Sequence, residues 1–315
     1  MKILVVSGFL GAGKTTFIKN LIRRTKKPLV VLENEYGENN LDSRDLQSAS
    51  NDGINQSPLE VMEFMEGCIC CSKKDSFANT VLAISASLDP EYLIVEPTGI
   101  GRLSSILENI QKIVYERIEV LPPIVILSPQ NIQFYKNNIH DIYVDQVSHA
   151  HKIIFSKIEN ESVELLSEAE KQIRKLNPHA ELVTMPYKDK DDAWYNGLLD
   201  AKIKSSDFSK QHSDTKDFGH DDGDHEHFEQ VTLYESNLVN ITELIQFLED
   251  IVRGDCGLIF RSKGVLKVAN QWLRFDVADR LYGIICEQSD NPQVQLVFIG
   301  KELDESYLRN RLGLT

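Results

Sequence analysis

Residues 8–15, GFLGAGKT, match the phosphate-loop pattern G-x-x-x-x-G-K-[ST] at every fixed position. An apolar run at residues 3–7 precedes the match, and a helical pattern at residues 14–24 follows it. A chance match in a chain this long has a frequency on the order of one in a hundred. A glycine-rich turn without a ligand is therefore the weaker interpretation, and the segment predicts a P-loop that binds a nucleoside triphosphate with Mg²⁺.

The P-loop is expected to contact the triphosphate along its whole length. Glycine lets the backbone approach the phosphates closely and point its N–H groups at them. Lys14 reaches the β- and γ-phosphates, the Thr15 hydroxyl binds Mg²⁺, and Thr16 donates to a phosphate. The predicted nucleotide ligands in this segment are Gly8, Phe9, Leu10, Gly11, Ala12, Gly13, Lys14, Thr15 and Thr16.

A carboxylate at the end of a neighbouring strand is the second element that such a site needs. The apolar run at residues 92–96, YLIVE, ends in Glu96 and is followed by Pro-Thr-Gly. Glu96 is expected to hold a Mg²⁺-bound water or to orient the attacking water, which gives a predicted catalytic set of Lys14, Thr15 and Glu96. The alternative is a strand-end carboxylate without a catalytic role.

Short apolar runs alternate with helical patterns through the first half of the chain. Predicted strands cover residues 3–7, 28–33, 92–96, 123–127, 152–156 and 181–185, and predicted helices cover 14–24, 72–86 and 162–176. The alternation predicts an α/β fold, a P-loop NTPase domain with a mostly parallel sheet and helices on both faces. Continuous apolar runs such as ILVV and YLIV fit burial on both sides of that sheet.

The character of the chain changes after the last of these strands. Residues 189–229 are polar and acidic, with one helical piece at 194–201, and they predict a linker. Beyond it, predicted strands at 230–234, 257–260, 265–268, 283–286 and 293–299 are framed by predicted helices at 240–251 and 304–312. The predicted domains are a P-loop domain at 1–188, the linker at 189–229, and a smaller α+β domain at 230–315.

The charge of the chain excludes two classes of partner. Its 34 basic and 48 acidic residues give a net charge of −14. Binding to nucleic acid requires a basic surface, and docking on an anionic membrane requires one as well. No apolar run reaches the ~18 residues of a membrane span. We therefore expect neither nucleic acid nor a membrane as a partner.

Three of the five cysteines, Cys68, Cys70 and Cys71, lie within four positions. Neighbours this close rarely form disulfides, so the cluster predicts a reducing cytoplasm and a metal or redox role. Three thiolates suit Zn²⁺ and also Co²⁺, and they leave a fourth position for a carboxylate, a water or a ligand from another protein. The spacing differs from that of structural zinc fingers and favours an open, transferable site. A buried or redox-active cysteine cluster is the alternative.

Four of the eight histidines, His212, His220, His225 and His227, lie among carboxylates in the acidic linker. Such a tract can collect metal loosely through imidazole and carboxylate groups. A solvated acidic linker that happens to contain histidine is the alternative interpretation.

Together these segments resemble the CobW-like metallochaperone GTPases, SIMIBI-class relatives of UreG and HypB, over nearly the whole chain. The resemblance rests on GFLGAGKTT at 8–16, ENEYGE at 33–38, GCICC at 67–71, EPTG at 96–99, the His-containing linker, RSKG at 261–264 and VFIG at 297–300. A C-x-C-C cluster after a P-loop and an ENEYGE segment is highly specific. The resemblance implies that the nucleotide is GTP and that the function is metal delivery.

The resemblance also implies roles for individual residues. The family recognises guanine through a motif similar to N-K-x-D, whose place is taken here by Ser156, Lys157 and Glu159. Glu159 keeps two acceptor oxygens for the two guanine donors, but glutamate departs from the usual aspartate. The first and last glutamates of ENEYGE, Glu33 and Glu38, are implied metal ligands, and strand-end capping is their alternative role.

Two further positions bear on these roles. Glu35 of the ENEYGE segment can act near Mg²⁺ instead of near the transferred metal. After the predicted strand at 123–127 the family often carries Val-Asp-Ala, whereas this chain has Ser128, Pro129 and Gln130 and so lacks an acidic group there.

These observations predict a GTP-gated metallochaperone that binds GTP, Mg²⁺ and Zn²⁺ or Co²⁺. Its expected partner is a client metalloprotein or a metal-cofactor synthesis enzyme. No arginine finger is evident from the sequence, so a partner or a second copy in a homodimer is expected to complete the site. The alternatives are a P-loop small-molecule kinase and a nucleotide-regulated metal store or sensor.

Overall fold

The computed structural model describes residues 1–34, 59–64, 74–201, 228–287 and 292–314. For residues 34, 59–64 and 74–76 it describes the backbone alone. The chain divides into two compact units, Met1–His220 and Asp221–Thr315. In the described parts, no helix has both the length and the apolar character needed to cross a membrane.

The first unit is built on an eight-stranded sheet. Its strands are β1 (Lys2–Gly8), β2 (Leu29–Asn34), β3 (Leu59–Phe64), β4 (Tyr92–Glu96), β5 (Glu119–Val120), β6 (Ile124–Leu127), β7 (Lys152–Phe155) and β8 (Glu181–Val183). The order is β3-β2-β4-β1-β6-β7-β8, with β5 paired to β1, and every pairing is parallel. The residues of β1, β4 and β6 are almost all buried, as expected for a parallel sheet that is covered on both faces.

Helices connect these strands. They are α1 (Lys14–Thr25), α2 (Lys74–Ser87), α3 (Leu103–Gln111), α4 (Ile132–Asn138), α5 (His140–His149), α6 (Val163–Leu176) and α7 (Asp192–Asp200), with 3₁₀ turns at Pro129–Asn131 and Tyr187–Asp189. In α1, Phe17, Ile18 and Leu21 are fully buried and recur at helical spacing on the face toward the core. The prediction of an α/β P-loop domain with a mostly parallel sheet is therefore confirmed.

Strand β3 is absent from the sequence-based prediction. Its sequence, LEVMEF, alternates apolar and acidic residues, so it lacks the continuous apolar run that marks the central strands. It pairs along its whole length with β2 at the edge of the sheet. Alternation of this kind is compatible with an edge strand, which has fewer neighbours to bury it.

Helix α7 falls in the segment that the sequence suggests as the start of a linker. It packs into the first unit, where Tyr195 and Leu199 are fully buried. Its N-terminal residue Asp192 accepts a hydrogen bond from Arg24 of α1 at 3.2 Å. The rest of the predicted linker, residues 202–227, lies outside the described residues, and the domain boundaries remain a prediction.

The second unit is a five-stranded antiparallel sheet with two helices among its described residues. The elements are β9 (Glu229–Leu233), α8 (Ile241–Arg253), β10 (Leu258–Val268), β11 (Gln271–Ala278), β12 (Leu281–Cys286), β13 (Gln295–Lys301) and α9 (Glu305–Arg311). The strand order is β12-β11-β10-β13-β9. Residues of both helices, among them Phe247 and Leu308, pack with the sheet in one core. The prediction of a smaller α+β unit is confirmed.

Two details of this sheet differ from the prediction. The strands predicted at 257–260 and 265–268 form the single strand β10, which runs through Gly264. Glycine is needed at this position because the ring of Phe275 and the side chain of Leu296 occupy the space that a Cβ would take. The sequence analysis also missed β11, whose sequence QWLRFDVA alternates buried and partly exposed positions. That period of two is typical of a strand with one face on the core.

We predict that Gly264→Ala destabilises the second unit. The added Cβ would lie 2.3 Å from Phe275 Cε1 and 2.5 Å from Leu296 Cδ2, and overpacking of this kind costs about 1–3 kcal/mol of unfolding free energy. Denaturant unfolding should be followed by the fluorescence of Trp272, in a Trp194→Phe background that removes the only other tryptophan.

Gly283→Ala is the matched control, because a Cβ on this glycine of the same sheet meets no atom within 4 Å among the described residues. We expect no loss of stability in the control. Equal midpoints for the two variants would show that the contact at Gly264 does not constrain the sheet.

Candidate nucleotide and metal site

The P-loop leaves β1 in a conformation that only glycine adopts easily. Gly8, Gly11 and Gly13 have φ angles of 143°, 73° and 95°, in the region that favours glycine. A Cβ on Gly8 would also lie 2.3 Å from the carbonyl oxygen of Ile126 in β6. The glycines of the pattern therefore serve the backbone path and its close approach to a neighbouring strand.

The segment after β4 packs directly on the P-loop. A Cβ on Gly99 would lie 2.3 Å from the backbone nitrogen of Leu10 and 2.8 Å from the carbonyl carbon of Phe9. These two loops thus touch backbone to backbone. Movement of one requires movement of the other, because close-packed contacts transmit displacement.

Lys14, Thr15 and Glu96, the predicted catalytic residues, lie together. Lys14 is buried, and its ammonium donates to the carbonyl oxygen of Phe9 at 3.1 Å. The Thr15 hydroxyl donates to Glu96 Oε1 at 2.8 Å, although the two residues are 81 positions apart in the chain. A hydroxyl and a carboxylate oxygen at this separation are ligands of the kind that Mg²⁺ prefers.

A row of glutamates crosses the same edge of the sheet. Glu33 at the end of β2 pairs in register with Glu96 at the end of β4, and the two are only 3% and 5% exposed. On the other side, Glu33 pairs in register with Glu63 of β3. The structure therefore places the predicted metal ligand Glu33 beside the residue predicted to act on Mg²⁺ and water.

The guanine-type motif is joined to the P-loop by a hydrogen bond. The Ser156 hydroxyl donates to the carbonyl oxygen of Ala12 at 2.6 Å, and Ser156 is buried. Lys157 follows with a φ of 57°, so the chain turns sharply after β7. Serine in the first position of the motif thus connects two loops through its side chain.

Glu159, the fourth residue of the motif, is held by a lysine. Its Oε1 atom accepts a hydrogen bond from Lys188 Nζ at 2.8 Å. That bond, together with one from the backbone of Glu159, lowers the pKa of the carboxyl below its ordinary value. The carboxylate is therefore ionised and an acceptor at neutral pH.

The family models match both units. The model described as "CobW/HypB/UreG, nucleotide-binding domain" matches residues 2–184. This chain belongs to the CobW/HypB/UreG family. The model described as "Cobalamin synthesis protein cobW C-terminal domain" matches residues 228–314. Membership confirms, at the level of the family, the predictions of a P-loop GTPase and of a metallochaperone.

Curated relatives of this family member carry names that mention zinc. "Zinc chaperone YjiA" of Escherichia coli (strain K12) is 25% identical, over 98% of this chain and 96% of that protein. "Zinc-regulated GTPase metalloprotein activator 1" of Schizosaccharomyces pombe is 27% identical, and the match covers 60% of this chain and 47% of that protein. The solved structure of Zn(II)-bound YjiA GTPase from E. coli is 19% identical over 100% of this chain and 99% of that chain, with a TM-score of 0.41.

Most of the predicted metal ligands lie outside the described residues. These are Cys68, Cys70, Cys71 and Glu38. Glu35, which the sequence suggests near Mg²⁺, also lies outside the described residues, as do the linker histidines, which are not assigned as individual ligands: His212, His220, His225 and His227. Within the described part of the chain, no group of three or more His, Cys, Asp and Glu residues is arranged to hold a metal ion. Of the described cysteines, Cys256 is buried and Cys286 is exposed, and burial raises the pKa of the Cys256 thiol to about 11.

Two residues of α5 hold the segment after β4 in place, and neither was predicted from the sequence. Gln146 Nε2 donates to the carbonyl oxygen of Gly101 at 2.9 Å, and Asp145 Oδ2 accepts from the backbone N–H of Ser104 at 3.2 Å. The loop is closed on itself by a bond from Gly101 N to Thr98 O. Gln146 and Asp145 are more than 40 positions from the groups that they bind, so no local sequence pattern indicates these two contacts.

An aromatic stack supports the P-loop in this family member. The buried ring of Phe9 lies 3.9 Å from that of Tyr135, with 15° between the planes, and 6.2 Å from that of Tyr143. Burial raises the pKa of Tyr143 to about 12, so this phenol is neutral at physiological pH. Phe9 is therefore anchored in the core by its side chain, and only its backbone is available to a nucleotide.

Two residues near the base motif were also missed, Gln130 and Lys188. Gln130, part of the Ser-Pro-Gln segment that replaces Val-Asp-Ala, donates to the carbonyl oxygen of Lys157 at 3.3 Å and to the carboxylate of Glu161. Gln130 lies in the loop after β6 and Lys188 in the loop after β8, and these two loops flank the loop after β7. Ligands bind where the carboxyl ends of parallel strands meet, and that rule is the signal that could have identified them.

We predict that Gly99→Ala weakens the binding of GTP and GDP about ten- to hundredfold, because the added methyl group would overlap the P-loop backbone at a cost of about 1–3 kcal/mol. Fluorescent-nucleotide titration measures the affinities. Gly197→Ala in α7 is the control, since a Cβ there meets nothing within 4 Å in the described structure. Nucleotide affinity that is the same in both variants would contradict the contact between the two loops.

Proposed function

We propose that this chain hydrolyses GTP in order to control the binding of zinc and its delivery to a client. The observation that carries the proposal is the common edge of β2, β3 and β4. ENEYGE begins on β2 at Glu33, GCICC follows three residues after the end of β3, and β4 ends at Glu96 beside Thr15. The strands that precede the candidate metal ligands in the chain thus end at the same edge of the sheet as β4, which carries Glu96.

The nucleotide half of the function is assigned to residues around the P-loop. Lys14 neutralises charge on the β- and γ-phosphates, and Thr15 and Glu96 provide oxygen atoms for Mg²⁺ directly or through water. When bound, Mg²⁺ would supply positive charge against the phosphate oxygens. Orientation of the attacking water is assigned to Glu96 as well, and its buried carboxylate, one hydrogen bond from Thr15, supports this role.

The metal half of the function is assigned to Cys68, Cys70 and Cys71, with carboxylate contributions from Glu33 and Glu38. Thiolates favour zinc, and cobalt is the second candidate. The YjiA relative is named a zinc chaperone, which supports zinc for this chain. The partner is a client metalloprotein or a metal-cofactor synthesis enzyme, and a homodimer is a further assembly that would complete the GTPase site.

The sequence of events follows from the shared edge. Thr15 and Glu96 are already joined by a hydrogen bond, so GTP and Mg²⁺ bound at the P-loop act on both residues at once. Glu33, which pairs in register with Glu96, connects them to the ENEYGE segment. The thiolates then capture metal. After hydrolysis the contacts to the γ-phosphate are lost, and the loops release the metal to the client.

The remaining assignments concern the whole chain. We propose a P-loop domain, predicted at 1–188, to which α7 (Asp192–Asp200) also belongs. The rest of the segment predicted at 189–229 is a linker that collects metal through its histidines, and the domain at 230–315 recognises the client. The clustered thiols favour the reducing cytoplasm as the site of action.

We predict that Cys70→Ala lowers zinc affinity at least about hundredfold, since each lost thiolate removes a principal ligand, while GTP affinity stays unchanged. Competition with a chromogenic chelator measures the first quantity, and nucleotide titration measures the second. The control is Cys286→Ala, which removes an exposed thiol of the second unit and should alter neither. Unchanged zinc and cobalt affinity in Cys70→Ala would refute the metal assignment.

Transfer of zinc to a client distinguishes a protein that delivers the metal from one that only stores or senses it. Zinc-loaded protein mixed with a metal-free client should yield zinc-bound client with GTP and Mg²⁺, and much less with GDP. Equal transfer with both nucleotides would favour the metal store or sensor. A phosphorylated small molecule formed without any dependence on zinc would favour the kinase.

A further inference from the structure

The loop after β8 is a neighbour of the guanine-type motif through the sheet. Strands β7 and β8 are parallel and pair in register, with Ile154 opposite Val183. Their carboxyl ends therefore deliver their loops to the same edge. Across the gap between these loops, Lys188 Nζ donates to Glu159 Oε1 at 2.8 Å.

The backbone that carries Lys188 is fixed from both sides. Its own carbonyl oxygen accepts a hydrogen bond from Arg24 Nη2 at 3.2 Å, and the carbonyl oxygen of Tyr187 accepts one from the Tyr195 hydroxyl at 2.8 Å. Tyr187 is buried with its ring 5.3 Å from that of Phe17 in an edge-to-face contact. The position of Lys188 thus depends on the core beneath α1 and α7, and not on the salt bridge alone.

The ion pair between Lys188 and Glu159 contributes little to the stability of the fold. The side chains of Lys188 and Glu159 are 52% and 44% exposed, and pairs with that exposure contribute only about 0–1 kcal/mol. Glutamate also has one more rotatable bond than aspartate, so it loses more entropy when it is held in place. Because Lys188 already holds the Glu159 carboxylate in one position, less side-chain entropy is lost when a ligand binds to that carboxylate.

We propose that Lys188 is a specificity-determining residue, which together with Glu159 forms an edge complementary to guanine. This proposal deepens the proposed GTP function and rests on it. The guanine base presents an acceptor at O6 and donors at N1 and N2, in that order. The Lys188 ammonium can donate to O6 while it remains bonded to Glu159, because it has three donors, and the Glu159 carboxylate accepts from N1 and N2.

Adenine presents the opposite pattern to this edge. Its 6-amino group would face the Lys188 ammonium, donor against donor, and its N1 acceptor would face the Glu159 carboxylate. Both mismatches leave polar groups without partners, which is the strongest basis for discrimination by a binding site. The lysine therefore compensates for the departure from aspartate at the fourth motif position.

The test compares Lys188→Met with Lys190→Met, which makes the same charge change two residues away. Competition against a fluorescent guanine nucleotide gives the affinities for GTP, ITP, ATP and 2-aminopurine riboside triphosphate. Lys188→Met should weaken GTP and ITP by the same factor of about ten or more, as expected for loss of a charged hydrogen bond. It should weaken 2-aminopurine, which lacks O6, by a smaller factor than GTP, and it should lower the preference for GTP over ATP.

Glu159→Gln supplies the complementary pattern. It should weaken GTP more than ITP, because ITP lacks the N2 amino group that the carboxylate accepts from. Lys190→Met should retain the wild-type preference for GTP over ATP. Loss of that preference in Lys190→Met would assign the effect to net charge and overturn the proposal.

The remaining outcomes separate this proposal from the function on which it rests. If the wild-type protein binds ATP as tightly as GTP, guanine specificity itself fails before any variant is made. If the wild type prefers GTP and Lys188→Met keeps both the affinity and the preference, only the role of Lys188 is overturned. If Lys188→Met weakens GTP more than ITP, the lysine acts only through Glu159 and the contact to O6 is refuted.

Discussion

The close contacts between the P-loop and its neighbours require glycine, because any larger residue would place a Cβ in the space of a backbone atom. Gly8 lies against the carbonyl of Ile126, and Gly99 lies against the backbone of Leu10, each so closely that a Cβ would overlap a backbone atom. Ser156 adds a hydrogen bond from the loop after β7 to Ala12. The P-loop is thus joined to the loops after β4 and β7, and its first glycine lies against strand β6.

This joined edge explains how one nucleotide site can influence a metal site. Parallel strands deliver their carboxyl ends to one side of the sheet, and here that side carries Thr15, Glu96 and Glu33 in contact or in register. Strand β2 carries the first residue of ENEYGE, and β3, which precedes GCICC in the chain, ends at the same side of the sheet. The proposed coupling between the two sites then needs no long pathway, because the strand that carries Glu96 pairs with the strand that carries the proposed metal ligand Glu33.

The sequence predicted the parts of the fold in which local pattern and burial agree. Strands β1 and β4 are continuous apolar runs, and α1 has its apolar residues at helical spacing, so each was predicted within a few residues of its observed ends. Strand β3 was missed because its apolar residues alternate with glutamate. Strand β10 was divided in two because Gly264 and its polar neighbours suggest a turn, whereas the Phe275 ring requires that glycine.

The candidate site divides in the same way. Lys14, Thr15 and Glu96 are marked by local motifs, and the structure places them together. Lys188, Gln146 and Gln130 act through contacts between distant segments, and only knowledge of which strands are neighbours could have indicated them. Sequence patterns therefore locate the phosphate end of the site well and the base end only in part.

The proposed function requires that the nucleotide state sets the zinc affinity. This is measured most directly as the dissociation constant for zinc of the full chain, by chelator competition, with Mg²⁺ and either a non-hydrolysable GTP analogue or GDP. We predict tighter binding with the GTP analogue by at least about tenfold, which corresponds to a coupling free energy of about 1.4 kcal/mol. The same zinc affinity in both states would contradict it.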